Sequence, residues 1–433
     1  MTQELRRVAV IGGSRIPFCR SNTLYADSSN LEMLIATLNG LVDKFDLKGA
    51  EIDDAVGGAV VSHSRDWNLA REAVLGSKLS PATPGTTLIQ ACGTSLQAAI
   101  MIGGKIAIGA SESGIAMGSD TTSDAPIVVK PKLAHRLVEA QTAKSAMERL
   151  KAFKGFSPGE LVPLAPSTSE PRTGLSMGQH TELMAQEWKV SREDQDRLAF
   201  ESHKKAAEAY RSGYLDDLIV PFAGVFRDNN LREDISIERL AQLKPAFDKE
   251  RGTLTAGNST PLTDGAAAVL LASEEWAAKR GLPVQAYLTY SQTSALAFVE
   301  GEGLLMAPTI AVSKMLDRAG LKLQDFDFYE IHEAFAAQVL ATLKAFEDPD
   351  YCVQRLGRGA ALGSIDRAKL NVKGSSLAYG HPFAATGARI IANLAKLLAE
   401  HGGRGLISVC TAGGMGVAAI MESAKAADMR MAA

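Results

Sequence analysis

Apolar residues along the chain fall into short runs separated by longer, periodically patterned stretches. "RVAVIGG" (7–13), "DAVGGAVV" (54–61), "TTLIQA" (86–91), "SGIAMGSD" (113–120) and "GAAAVLLAS" (265–273) are brief and bounded by glycine or polar residues, as buried strands are. Between them, "NLEMLIATLNGLVDKF" and "CGTSLQAAIMIGGKIAIGA" have the length and apolar spacing of helices. The order recurs towards the C-terminus, with strands expected at 284–292, 326–332, 370–376, 405–413 and 415–422 and helices around 308–320, 334–346 and 383–401. The expected architecture is α/β: two βα halves on one duplicated plan, each a sheet covered by helices.

Residues 121–252 break this rhythm. They carry charged, helix-like stretches and the Pro/Gly/Ser/Thr-rich "SPGELVPLAPSTSEPRTG", with few strand signals. The expectation is an inserted, mostly helical subdomain over one face. Residues 1–120 with 253–280 then form the N-terminal half and 281–433 the C-terminal half.

A 433-residue chain has ample length for more than one packed module. With 46% hydrophobic residues, 22% charged residues and a net charge of -3, there is no electrostatic reason to expect nucleic acid or an anionic membrane as the main partner. "MTQELRRVAVIGGSRIPF" lacks the apolar region and cleavage site of a secretory signal, and no run of 18 apolar residues follows, so the expected location is the cytoplasm. Cys19, Cys92, Cys352 and Cys410 lie far apart without a C-x-x-C pair, which disfavours a zinc site or a disulfide framework.

The chemistry concentrates at four strand or turn ends. Cys92 in "QACGTS" sits among small residues at the start of a helix, where unpaired N–H groups and the helix dipole favour a thiolate and can hold an oxyanion. A buried structural thiol is the competing reading. "YGHPFAATGAR" (379–389) sets His381 in a tight turn before a helix, and "SVCTAGGMG" (408–416) ends an apolar strand at Cys410 before a glycine-rich turn. "EIHEAFAAQ" (330–338) adds His332 and Glu333, which could equally cap the helix that follows. A sheet-based fold can bring two thiols and two imidazoles together from such positions.

As an ordered set, "SRIPF", "TAGNSTPLTDGAA", "HEAF", "GHPFAATG" and "CTAGGMG" resemble the motifs of the thiolase family over nearly the whole chain. The histidine of "HEAF", where many thiolases have asparagine, makes it most similar to the β subunit of fatty-acid-oxidation trifunctional complexes and its bacterial relatives. The resemblance implies a five-layered αβαβα core with a loop domain, and CoA-dependent thiolysis of 3-ketoacyl-CoA, reversible as a Claisen condensation. An acetoacetyl-CoA-specific thiolase and another condensing enzyme of the superfamily are the alternatives. Coenzyme A enters as co-substrate, with no covalently bound cofactor and no metal.

By the same resemblance, Cys92 is the nucleophile, His381 its base, and Cys410 the acid/base for the acetyl carbanion. The backbone N–H groups of Cys92 and Ala412 hold the tetrahedral oxyanion, and His332 holds a water at the second oxyanion site. Ser259 and Thr260 lie in the pantetheine-contacting loop, with Met177 and Phe383 near the substrate. A homodimer or homotetramer is implied, as is a possible hydratase/dehydrogenase α subunit. Finally, "KPKLAHRLVEAQTAKSAMERLKAFK" (130–154) combines Lys130, Lys132, Arg136, Lys144, Arg149, Lys151 and Lys154 with Leu133, Leu137, Ala140, Met147 and Leu150 at helical spacing. This stretch is either a solvated loop-domain helix or a docking face for an α subunit or an anionic membrane surface.

Overall fold

The computed structural model describes residues 5–164 and 166–431; the first four residues of the N-terminal stretch and Ala165 of the Pro-rich loop lie outside the described residues. The first half runs β1 (Ala9–Arg15), β2 (Cys19–Arg20), α1 (Asn30–Lys44), β3 (Ala55–Gly58), α2 (Leu69–Gly76), β4 (Gly85–Thr87), α3 (Thr94–Ala107) and β5 (Ser113–Asp120). The inserted segment contains α4 (Pro131–Thr142), α5 (Ala146–Ala152), α6 (Met177–Glu187), α7 (Arg192–Arg211) and α8 (Ile237–Ala241), after which β6 (Thr263–Ala272) and α9 (Glu274–Lys279) complete that half. The second half comprises β7 (Ala286–Ala295), α10 (Ala307–Ala319), β8 (Phe328–Ile331), α11 (Ala336–Glu347), α12 (Pro349–Gln354), α13 (Ser376–Tyr379), α14 (Thr386–His401), β9 (Arg404–Thr411), β10 (Met415–Glu422) and α15 (Ala424–Met431).

Strand order exposes the duplication. The sheet reads β4-β3-β5-β6-β1-β7-β10-β9-β8, and among the described residues its halves join through a short antiparallel pairing of Ala9 with Tyr287 and Val10 with Ala286. In the first half β4, β3 and β5 are parallel, while β6 and β1 add antiparallel. The second half mirrors this: β8 and β9 are parallel, and β10 and β7 add antiparallel. The place that β4 holds in the first half is taken in the second by one parallel bridge, Tyr329 to Leu370.

That bridge corrects the strand expected over 370–376. Asn371 at φ 45° and Gly374 at φ 79° turn the chain away after Leu370. The Asn371 side chain then accepts from Ile331 N and donates to Ile331 O, both at 2.9 Å, doing the work of the missing ladder. The run 86–91 is likewise strand only to Thr87, because Ala91 adopts φ 46°. The apolar pattern also gave no sign of α2.

Side chains alternate between two cores, and this makes five layers. In β6, Ala266, Ala268 and Leu270 join α1 and α2 in one outer core, whereas Ala267, Val269 and Leu271 face a central one. In β10, Ala418 and Ile420 join α10 and α11 in the opposite outer core, whereas Val417, Ala419 and Met421 face the same centre. The central core holds α3, through Leu96, Ala99 and Ile102, and α14, through Ala388, Ile391 and Leu394. Each such fully buried leucine or isoleucine contributes about 1.5–3 kcal/mol. Helices α6 and α7 of the insertion pack on the second half's outer core through Met184, Ala185, Leu198 and Ala199.

The two central helices meet at their N-terminal turns. A Cβ on Gly387 would lie 2.4 Å from Leu96 N, and Ser95 Oγ accepts the Ala388 N–H at 2.8 Å. Gly387→Val should therefore lower stability by about 1–3 kcal/mol through overpacking and reduce activity with it. Gly104→Ala, where a Cβ meets nothing within 4 Å, should not destabilise. Denaturant unfolding of the two variants checks this.

Candidate active site

The turn before α3 is strained where it presents the first thiol. Ala91 lies in the left-handed region, and Thr94 Oγ1 secures it by accepting from Gln90 N at 2.9 Å and donating to Ala91 O at 2.8 Å. Gly93 explains the small residues around Cys92: a Cβ there would lie 2.9 Å from Val417 Cγ2 and 3.0 Å from Thr411 Cγ2, so the turn can press on β9 and β10.

Cys92 Sγ lies 3.1 Å from His381 Nε2, across 289 positions of sequence. His381 is fixed from three sides: its Nδ1 pairs with Thr386 Oγ1 at 2.6 Å, its backbone N donates to Thr263 Oγ1 at 3.1 Å, and Phe383 stands edge-on with ring centroids 5.3 Å apart. Asp120, at the end of β5, anchors the same turn by accepting the Ala384 N–H at 2.8 Å. Burial raises this carboxyl to about 7, opposed by the N–H bonds from Val61, Ala384 and Val60.

His332 follows β8 and does not cap α11, whose cap position is Phe335 without a side-chain bond. Its Nε2 lies 3.2 Å from His381 Nε2, in direct contact, and its Nδ1 lies 3.0 Å from Ser376 Oγ. Arg389 donates to that hydroxyl at 2.9 Å. Glu333 is spent elsewhere: it accepts from Ser202 Oγ of α7 and Asn371 Nδ2, both at 2.7 Å, tying the insertion to this loop.

Cys410 ends β9 fully buried, and burial together with Cys92 holds its thiol well above the usual range. The adjoining turn brings the Ala412 N–H to Cys92, where it acts on the sulfur alongside the N–H of Cys92 itself. Glu170 of the insertion accepts the Gly413 N–H at 2.8 Å and so braces this turn. The loop 256–262 reaches the site by two bridges, Ser259 to Phe335 and Leu262 to His381. Thr260 Oγ1 donates to Ala334 O at 3.0 Å, whereas Ser259 Oγ is buried without a protein partner. Met177, at the start of α6, packs on the second half's outer core.

Thr386, Ser376, Arg389, Thr263, Asp120 and Glu170 were not singled out in the sequence. Thr386 and Arg389 lay inside "YGHPFAATGAR" and Thr263 inside "TAGNSTPLTDGAA", motifs marked for other members.

Burial drives the Cys92 thiol up to about 12, partly offset by the two backbone N–H groups, and drives His381 down to about 3. His332 is likewise held well below the usual range, by burial first and then by His381. At neutral pH the arrangement is a thiol against a neutral imidazole. It can pass a proton from sulfur to nitrogen as the sulfur attacks a carbonyl.

Two family models cover most of the chain: the thiolase N-terminal domain matches residues 8–275 and the thiolase C-terminal domain matches 284–423. The chain belongs to the thiolase family. It is 43% identical over 423 residues to a 3-ketoacyl-CoA thiolase of Shewanella baltica, covering 96% of this chain and 97% of that one. A 3-ketoacyl-CoA thiolase of Yersinia pestis is 42% identical over 429 residues, covering 98% of both. The crystal structure of the Bacillus anthracis acetyl-CoA acetyltransferase superposes with a TM-score of 0.80 at 29% identity, covering 98% of this chain and 100% of that chain.

The neutral pair makes a pH prediction. Because the thiol's pKa is raised, the rate at which iodoacetamide alkylates Cys92 in the free protein should keep climbing between about pH 7 and about pH 9. A plateau below pH 7 would mean a thiolate already formed at rest.

Proposed function

We propose that the protein is a 3-ketoacyl-CoA thiolase, cleaving 3-ketoacyl-CoA with CoA to acetyl-CoA and a shortened acyl-CoA. The observation that carries this reading is the contact of Cys92 Sγ with His381 Nε2 at 3.1 Å, beside the N–H of Ala412. In the proposed reaction Cys92 attacks C3 of the ketoacyl chain as His381 takes its proton, and the Cys92 and Ala412 N–H groups hold the oxyanion. The C2–C3 bond then breaks, Cys410 protonates the departing acetyl-CoA carbanion, and the acyl group remains on Cys92. Incoming CoA, deprotonated by Cys410, releases it.

His332 faces the reacting imidazole and is assigned to the second oxyanion site. Phe383 braces His381, Ser259 offers the open hydroxyl of the CoA-contacting loop, and Thr260 and Met177 line the substrate more remotely. The division of labour follows the halves: 1–120 with 253–280 supplies Cys92, 281–433 supplies His332, His381 and Cys410, and 121–252 covers the site. Coenzyme A is the co-substrate. We place the protein in the cytoplasm, since its four cysteines are free; no helix among the described residues is long and apolar enough to cross a membrane. A homo-oligomer is supported by the exposed Trp67 and Ile89, which precede α2 and follow the edge strand β4 respectively.

The direct test is a rate panel of short, medium and long 3-ketoacyl-CoAs with CoA. Acetyl-CoA beyond one equivalent of enzyme should form only when CoA is present as well, and activity on medium and long chains separates this reading from an acetoacetyl-CoA specialist. Absence of CoA-dependent cleavage at every length contradicts it.

The insertion also carries a candidate docking face. Leu137 and Val138 of α4 and Met147 and Leu150 of α5 are exposed, and so are Lys144, Arg149, Lys151 and Lys154. Arg136 is withdrawn from this set, held by Glu160 at 2.8 Å and by the carbonyls of Ala152 and Lys154, and Leu133 is turned inward. An exposed apolar surface rimmed by cations suits an anionic membrane surface, with a hydratase/dehydrogenase α subunit as the other candidate. Reversing Lys144, Arg149 and Lys151 to Glu should leave thiolysis of a soluble substrate intact and abolish retention on anionic vesicles. Wild-type retention should itself fall as salt rises, and no wild-type binding at low salt removes the proposal.

A further inference from the structure

Cys92, His332 and His381 each present one ligand atom, and these three atoms lie within 4.8 Å of one another. The two Nε2 atoms are 3.2 Å apart, and His381 Nε2 is 3.1 Å from Cys92 Sγ. A tetrahedral Zn2+ with Zn–N bonds of about 2.0–2.1 Å and a Zn–S bond of about 2.3 Å sets N···N edges of about 3.3 Å and N···S edges of about 3.6 Å. Two edges of the triangle are therefore within about half an ångström of the required values. The third closes by a swing of the cysteine side chain.

The groups behind the rings complete the pattern. Each imidazole turns its Nδ1 to a hydroxyl, His332 to Ser376 Oγ at 3.0 Å and His381 to Thr386 Oγ1 at 2.6 Å. When those nitrogens carry the ring protons, both Nε2 atoms are left as acceptors, 3.2 Å apart and beside the sulfur. Outer hydroxyl or carboxylate partners orient zinc-binding histidines in this way. Two lone pairs so placed repel each other, and a cation between them turns that repulsion into attraction. The spacing of cysteines along the chain could not reveal such a site, because its three members come from positions 92, 332 and 381.

We propose that Cys92, His332 and His381 form a site for a thiophilic divalent cation, Zn2+ in particular, that occupies the nucleophile and switches the enzyme off reversibly. Binding replaces the Cys92 thiol proton, which leaves to solvent, with a sulfur–metal bond; water supplies the fourth ligand, and no oxidant or reductant is needed. Mg2+ and Ca2+ find no oxygen ligands in this triad and do not compete. The inhibitory consequence rests on the thiolase reading, whereas the coordination does not.

The test titrates the purified full-length protein with Zn2+ and, separately, with Co2+ as a spectroscopic substitute, and follows thiolysis in parallel. One equivalent of Co2+ should produce the visible bands of a tetrahedral site and a near-ultraviolet thiolate charge-transfer band, with the latter absent in Cys92→Ala. One bound equivalent of Zn2+ should abolish turnover, a chelator should restore it, and Mg2+ should do nothing. His332→Asn should weaken Zn2+ binding more than about tenfold, and Ser376→Ala, which keeps all three ligands, by about 10–100-fold. A charge-transfer band that persists in Cys92→Ala, or Zn2+ affinity unchanged in both His332→Asn and Ser376→Ala, overturns the site. Turnover indifferent to a bound equivalent overturns the switch. Metal binding as described in a protein without thiolysis at any chain length supports the site while contradicting the proposed function.

Discussion

Everything at the site depends on the contact between the N-terminal turns of the two central helices. Gly387 sits against the backbone of Leu96, and Ser95 of one helix caps the first turn of the other through the Ala388 N–H. Each helix belongs to one half of the duplicated fold, and each is preceded by the turn that carries its reactive side chain. Locking the helix starts together therefore sets Cys92 against His381, although neither turn could hold the pair alone. The five layers serve this contact: the two halves of the sheet close on the central helices, and the outer helices close on the sheet.

The electrostatic consequence is a site assembled from neutral groups. Water exclusion disfavours both a thiolate and an imidazolium, and the shifts of Cys92 and His381 away from each other express that cost. The N–H groups of Cys92 and Ala412 offset part of that cost at the sulfur. In the proposed reaction, negative charge passes at once from sulfur to the carbonyl oxygen under attack, so the pair need not ionise beforehand.

Much of this was legible in the sequence because reactive residues fell at the ends of strands and turns, where backbone groups converge. Cys92, His381, Cys410 and His332 stood out by type and setting. Thr263, Asp120, Ser376 and Glu170 did not, since each acts through a partner distant in the chain and looks locally like an ordinary strand or loop residue. The strand expected at 370–376 failed for a related reason. Its apolar alternation was real, but Asn371 and Gly374 adopt left-handed conformations, and the Asn371 side chain replaces the ladder. In the insertion, charge and periodicity marked α4 and α5, yet could not show that Arg136 is consumed by Glu160 while Lys144 and Lys151 stay in solvent.

The central claim is that chemistry runs through a covalent bond at the junction of the two halves. The most direct measurement mixes the protein with a medium-chain 3-ketoacyl-CoA while withholding CoA, quenches after one turnover, and maps the adduct by peptide mass spectrometry. An acyl group two carbons shorter than the substrate should appear on Cys92, with one equivalent of acetyl-CoA released. An acyl group on Cys410, or acetyl-CoA formed without any adduct on Cys92, would contradict it.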